Sequence, residues 1–433
     1  MKLTRFDRPD LAASIRSVQF DGRDCIKEVS SSIRSLGSQH GSSGPAAEDL
    51  PEVIERITDA IRRYNIGAPM AWHEGVNRVQ LLPPAFLQQL VLLLASGAEH
   101  IHLSYGADGV TNIFVPADPS KPPHRLPKLQ FLSVEADQSA IPAMLQDNRA
   151  PHINTLQATS LRYLHLAKAQ PAGLSKVRNV HIRDCAYGFF FDQVPRIGHF
   201  NDIDPLADLE DLDACIAAHT SLENFSIGVT AKDYPSDGQD PWGSRRREEG
   251  VFNHKVQNML LRSLVTHHKD SLRGLGIDFE SGGCFAHVNY DETFPIGDRG
   301  HSLYHPLREF TNLETLSIRN TALIAHYDPN ADETFSYFNL HDILPPSIKR
   351  LHIFRCQADV VSAMQYLLER GVKRGMLPNL CEIRVKFPTA DPEALCSSSG
   401  LTFETWRRER LVAEFAELGV TLRGDPQLLQ QSW

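Results

Sequence analysis

Histidine and arginine carry most of the chemistry this sequence could perform. The chain holds 19 histidines. Several of them, including His102, His165, His181 and His352, sit between apolar neighbours in short alternating stretches. If those stretches are β-strands in register, neighbouring strands lie ~4.8 Å apart and His165 and His181 stand side by side. Two imidazoles at that spacing could ligate a metal or relay a proton. No acidic third ligand recurs at matching positions, so the row reads as the polar lining of a partner surface, and neither metal nor cofactor is expected. Toward the C-terminal end the same face gathers Arg319, Arg350, Arg384 and Lys386 around the aromatic Phe354. Guanidinium groups pair bidentately with carboxylate or phosphate, so this group suits an acidic or phosphorylated segment of a partner. The competing reading is an ordinary solvated strand face. Together with Tyr163 and Arg183, these residues form the candidate partner-binding set: Tyr163, His165, His181, Arg183, Arg319, Arg350, His352, Phe354, Arg384 and Lys386.

Other charged clusters have simpler readings. The acidic run from Asp202 to Asp213 lacks the glycine and terminal glutamate of a calcium loop and reads as the start of an amphipathic helix. Arg245-Arg-Arg247 is followed at once by Glu248-Glu249, a mixed-charge loop. Phosphate-loop, dinucleotide and zinc-protease fingerprints are missing from the sequence.

The residues of the candidate set are positioned by one recurring phrase: apolar, two residues, apolar, one residue, apolar. Leu313-Glu-Thr-Leu316-Ser-Ile318, Leu161-Arg-Tyr-Leu164-His-Leu166 and Leu272-Arg-Gly-Leu275-Gly-Ile277 are clear copies. Others begin at Ile15, Ala98, Leu129, Val177, Leu222, Ile348 and Leu380. The last three positions alternate as a strand with one buried face must. Helical patterns lie between copies: Leu50 to Tyr64, Pro84 to Ala95, Leu206 to Ile216, Phe252 to His267, Asp359 to Arg370 with Gly371 as its C-terminal cap, and Phe403 to Leu418 with Gly419 as cap. Val420-Thr-Leu422 reads as a closing strand.

Strands alternating with helices permit a closed barrel or an open solenoid. Barrel strands are buried on both faces and read as continuous apolar runs. Here Glu135, Tyr163, His165, Asn179, His181, Arg183, Arg319, Arg350, Arg384 and Lys386 occupy the alternate positions. That much polarity needs water, which predicts an α/β fold of the open type. The expectation is an irregular leucine-rich-repeat solenoid (a horseshoe) with parallel strands on its concave face and helices on its convex face. Residues 1–433 are expected to form a single array. Within it, 1–97 is an N-terminal capping region with one strand-helix unit and an insertion, 98–390 holds irregular repeats, and 391–433 is a C-terminal cap. Pro/Gly/Ser-rich insertions at 105–127, 231–250 and 280–306 are expected to be long loops.

Bulk properties agree with a folded chain: 433 residues, 42% hydrophobic, 22% charged and a net charge of -9. That charge gives no reason to expect nucleic acid as the main ligand. The apolar run Phe86 to Ala95 is about half the ~20 residues of a membrane span. Seven scattered cysteines without C-x-x-C spacing fit reduced thiols, and hence a cytoplasmic or nuclear setting. Cys185, Cys356 and Cys381, within or just after a phrase, are expected to be small buried residues.

Arg8-Pro-Asp-Leu-Ala-Ala-Ser-Ile-Arg-Ser-Val-Gln-Phe20 and Leu92-Leu-Leu-Ala-Ser-Gly-Ala-Glu-His-Ile-His-Leu103 resemble the repeat segments of fungal F-box/LRR-type proteins. The resemblance implies a leucine-rich-repeat, ribonuclease-inhibitor-like part that acts as a substrate receptor of ubiquitin ligases. It also implies an N-terminal F-box docking on the adaptor Skp1. The array is entered by about residue 8, and Leu50-Pro-Glu-Val-Ile54 follows a repeat strand, so the F-box is not recognisable and Skp1 is expected only of a longer gene product. The expected function is a non-enzymatic scaffold holding a protein or peptide. The alternative is a hydrolase-like enzyme on a βα framework with a histidine-containing cleft.

Overall fold

The computed structural model describes residues 15–20, 95, 97–103, 125–135, 150–159, 174–185, 213–214, 216–229, 260–279, 305–319, 340–354, 356, 360–387 and 405–426. The chain divides into two compact units, Met1–Ile203 with Ala218–Thr220, and Asp204–Ala217 with Ser221–Trp433.

The first unit holds strands β1 (Ser17–Phe20), β2 (His100–Leu103), β3 (Phe131–Glu135), β4 (Thr155–Thr159) and β5 (Asn179–Cys185). They are parallel and paired in chain order, with Ser17, His100, Phe131, Thr155 and Asn179 in one row. The second unit holds β6 (Asn224–Val229), β7 (Gly274–Phe279), β8 (Thr315–Arg319), β9 (Arg350–Phe354), β10 (Glu382–Phe387) and β11 (Thr421–Pro426). Its strands are also parallel and in chain order, with Asn224, Gly274, Thr315, Arg350, Glu382 and Thr421 in one row. Each ladder is open, as the phrase predicts, and β11 is the strand expected at Val420–Leu422.

The phrase explains the burial. Its three apolar positions are the core: Leu129, Leu132 and Val134 in one copy and Leu313, Leu316 and Ile318 in another are each completely buried. The structure extends the phrase upstream by a further apolar residue. Leu129, Ile153, Val177, Ile348 and Leu380 each donate their N–H to the carbonyl three residues back, on Leu126, Ala150, Leu174, Pro345 and Leu377. All five of those turn-opening residues are buried. A tight turn is thus packed into the core before each of these five strands begins.

Beyond the ladder itself, one carbonyl per repeat receives two successive N–H groups of the next. Glu99 O accepts from Gln130 and Phe131, Gln130 O from Asn154 and Thr155, and Asn154 O from Arg178 and Asn179. In the second unit Glu223 O serves Arg273 and Gly274, Arg273 O serves Glu314 and Thr315, Glu314 O serves Lys349 and Arg350, and Lys349 O serves Cys381 and Glu382. In the second unit the side chains in this column alternate in sign from Glu223 to Lys349, and two pairs close along the two columns: Arg16–Glu99 at 2.5 Å in the first unit and Lys349–Glu314 at 3.0 Å in the second. Exposed pairs of this kind contribute about 0–1 kcal/mol each, so they favour the register more than they hold it. The turns stack as well. Ser271 and Ser347 hydroxyls donate to Leu222 O and Leu313 O at 2.9 Å, and Asn312 and Asn379 amides donate to Asp270 O and Pro346 O at 2.7 and 3.0 Å.

The helices follow the predicted stripes with adjustments. Residues 260–268 are helical, with Leu260, Leu261 and Leu264 buried, within the predicted Phe252–His267 stretch. The helix Thr405–Glu417 ends at Gly419 with φ +78°, as predicted. The helix Val360–Tyr366 departs from prediction. It continues as a wide π-turn, Leu367–Val372, so Gly371 is buried inside the turn rather than capping it. The positive-φ glycine is Gly375. The predicted helix at Leu50–Tyr64 and, apart from Ala95, the one at Pro84–Ala95 lie outside the described residues. Cys356 is buried as expected, whereas Cys381 is exposed because it precedes β10 in the turn; the side chain of Cys185 is not among those described. No helix among the described residues is long and apolar enough to cross a membrane.

Two buried histidines anchor turns. His219 donates its Nδ1 proton to Val177 O at 3.0 Å in the first unit. His268 donates its Nε2 proton to Ile216 O at 2.8 Å in the second. Burial pushes the His268 imidazole below its ordinary value, partly opposed by its backbone bond and reinforced by neighbouring His267. The unfolded chain therefore binds a proton that the native state resists. Stability should be level above about pH 6.5 and fall as pH drops below it, toward the lowered native value. Urea midpoints followed from about pH 7.5 to 5 should trace that fall, and His268→Gln, which keeps an N–H donor without a titrating ring, should make it shallower, the remainder coming from His181 and His352, which are lowered as well. Neighbouring residues of β4 test the two-faced strand. Leu156→Ala should destabilise by about 2–5 kcal/mol and Gln157→Ala by under about 0.5 kcal/mol in denaturant titrations.

Candidate functional site

Among the described side chains each strand carries its polar residues on one face, and zero offset between copies arranges them in straight lanes. In the first unit the middle lane reads Gln19, His102, Ser133, Gln157, His181. In the second it reads Ser226, Gly276, Ser317, His352, Arg384, Arg423. The register that sequence spacing implied is therefore present, with one correction.

The residue beside His181 is Gln157 of β4, not His165. Both Tyr163 and His165 lie outside the described residues. Strand β4 follows the phrase Ile153-Asn-Thr-Leu156-Gln-Ala158, whose closing apolar residue is only an alanine. Its buried turn residue, Ala150, is the signal that would have revealed it. In this unit His102 Nδ1 and Ser133 Oγ are hydrogen-bonded at 2.8 Å, and the Asn179 amide donates to Thr155 Oγ1 at 3.1 Å. Burial pushes His181 down from its ordinary value, and Arg183, next but one on the same face, adds repulsion.

The second unit brings Arg319, Arg350, His352, Phe354, Arg384 and Lys386 onto the adjacent strands β8, β9 and β10, as predicted. They are not equivalent. Arg319 is only 6% exposed and its guanidinium is committed to Asp278, with Nε at 2.7 Å and a still closer contact from a terminal nitrogen. Phe354 is 3% exposed, so it does not present a ring to solvent. Both fall at the end of their strands, one lane beyond Ser317 and His352. Arg350 is exposed, and its Nε donates to Thr315 Oγ1 at 3.1 Å. Arg384 is half-exposed, and its Nε donates to Glu382 Oε1 at 2.6 Å. Lys386 is half-buried.

His352 lies among these cations, with Nδ1 hydrogen-bonded to Ser317 Oγ at 3.3 Å and Nε2 buried without a partner. Burial pushes the imidazole down most, Arg384 next, and Lys386 and Arg350 further, against the opposing pull of Glu382. Glu382 is itself held below the usual carboxylate range, chiefly by the Arg384 hydrogen bond. A neutral His352 at neutral pH follows, in a positive local field. Upstream on the same face the lane is nearly flat. At Gly276 a Cβ would come within 2.9 Å of Ser226 Cβ, so the close strand approach requires glycine there.

A Ser–His contact raises the question of nucleophilic chemistry. Attack on a substrate needs an accessible Oγ, and Ser317 is 5% exposed. Among the described residues, no group of three or more His, Cys, Asp or Glu side chains is arranged to hold a metal ion. What the face can do chemically is offer distributed hydrogen-bond donors and cations to another surface.

No family model and no curated protein matches the chain. Among solved structures, a chain from the crystal structure of the yeast Rad7 and Elc1 complex is similar over 85% of this chain and 93% of its own length, at 14% identity and a TM-score of 0.22.

The His352 environment makes a two-sided prediction. Arg384→Gln removes a cation and releases Glu382, so the imidazole midpoint should move up. Glu382→Gln removes the attraction that opposes the cations, so it should move down. Histidine side-chain NMR across the acid-to-neutral range would check both signs.

Proposed function

We propose that this chain is a leucine-rich-repeat-type interaction scaffold, without catalysis of its own, whose polar strand face holds a protein or peptide partner. The observation that supports this reading best is the in-register polar lanes. A parallel ladder with one apolar face sealed into the core leaves the other as an array of fixed side chains at ~4.8 Å spacing across strands. Repeat architectures use such surfaces to hold partners. On this reading the strands are the concave side of each repeat unit and the helices the convex side. The partner-facing positions are His181 and Arg183 in the first unit and Arg350, His352, Arg384 and Lys386 in the second. Tyr163 and His165 remain proposed contacts. Arg319 and Phe354 support the face from within.

The resemblance to F-box/LRR-type proteins gives the scaffold a setting: substrate recognition for a ubiquitin ligase in the cytoplasm or nucleus. The hydrolase alternative asks for an accessible nucleophile beside His352, which the burial of Ser317 argues against.

Photo-crosslinking tests the reading. A photoreactive residue at Gln157 or Ser226, on the polar face, should give a discrete protein adduct in cells of the source organism. One at Ala413 or Glu417, on the outer helix, should not. Adducts confined to the helix positions would overturn the assignment of the binding face.

A further inference from the structure

We propose that the polar face of β8 to β10 docks an Asp/Glu-rich segment of a protein partner, gripped through its carboxylates by Arg350, Arg384 and Lys386; this rests on the scaffold reading above. The face already shows the chemistry it would use. Arg319 takes the Asp278 carboxylate and Arg384 takes that of Glu382. Carboxylate is thus already the partner that two guanidinium groups of this face take.

The layout favours a string of carboxylates over a single phosphate. Arg350 opens β9 beside Glu382, Arg384 stands one lane further on beside His352, and Lys386 lies one lane beyond that, beside Asp425. The cations are thus spread over two strands and three lanes, with about 5 Å between strands and about 6.6 Å between successive same-face residues. A phosphate dianion is held best where several donors converge on one point. An extended acidic segment presents its charges at intervals, which is how these cations are spaced. The field has the right sign. The whole chain carries a net charge of -9, yet cations crowd this face closely enough to oppose protonation of His352. Next to it, Ser226 and Gly276 put little side chain on the same face.

Fluorescence anisotropy with the full chain tests this. The probes are three fluorescein-labelled peptides of about twelve residues, long enough to cross several strands. One is Glu-rich, one carries a single phosphoserine in a Gly/Ser background, and one is Gly/Ser alone. The Glu-rich peptide should bind and weaken at least about fivefold as ionic strength rises from about 0.05 to 0.3 M. Arg350→Glu combined with Arg384→Glu should weaken it by about tenfold or more, and the milder Arg350→Gln should give a partial loss. Lys128→Glu, in the exposed turn before β3, should leave binding unchanged, and matching denaturant midpoints would show that each variant is folded. Equal binding of the Gly/Ser peptide, tighter binding of the phosphoserine peptide, or indifference to charge reversal in a folded variant would each overturn the proposal. If the Glu-rich peptide fails while adducts still form at Gln157 or Ser226, the acidic segment is excluded and the scaffold stands. Failure of both removes both.

Discussion

The structure depends on one backbone carbonyl per repeat that accepts two successive N–H groups from the next. Glu314 O, taking both Lys349 and Arg350, is typical. That shared bond fixes where each new strand starts relative to the last, before any side chain is consulted. The apolar phrase then makes the choice irreversible. Because successive strand residues point to opposite faces, a slip of one residue would turn Arg350, His352 and Phe354 outward-for-inward with Leu351 and Ile353. Burying a guanidinium without its partner would cost several kcal/mol, far more than the alternating surface ion pairs could offset. Straight lanes on the polar face are a by-product of this rule. A scaffold that recognises its partner through those lanes puts the by-product to use.

Much of this was legible in the sequence, for a physical reason. The phrase encodes burial, and burial is what hydropathy reports, so nine of its ten copies fall on strands of the structure or their entry turns. The missed strand, Thr155–Thr159, closes its phrase with Ala158, whose methyl fills the core without standing out in a hydropathy pattern. The neighbouring stretch from Leu161 matched the pattern better and drew the assignment to itself. Lane membership was also legible, since it follows from parity alone. Exposure within a lane was not. Arg319 and Phe354 occupy wet-face parity yet are buried, and Arg319 is tied to Asp278 on β7. Such contacts join residues about 40 positions apart and leave no local trace. The cap at Gly375 instead of Gly371 has a similar origin, since a π-turn adds a residue to the helix that no 3.6-residue periodicity foretells.

The electrostatics of the second unit show how a face can be basic without being unstable. Glu382 and Asp278 each neutralise one guanidinium from within, and His352 surrenders its proton instead of adding to the repulsion. The unit thereby holds several arginines and a lysine on neighbouring strands in an acidic protein. Exposed Arg350 keeps its charge where solvent, or a partner, can meet it, and Arg384 is half-exposed beside its own carboxylate partner.

The division of labour between the two faces bears on inheritance. Register is written in main-chain amides and hidden methyl groups, while the outward letters, such as Gln157, Ser226 and Arg384, take no part in that frame. A duplicated gene could exchange two or three of those letters and address a new target while folding as before. Selection on recognition and selection on foldability would then act on nearly separate sets of codons, and the polar face would be free to diverge quickly within an architecture that scarcely moves.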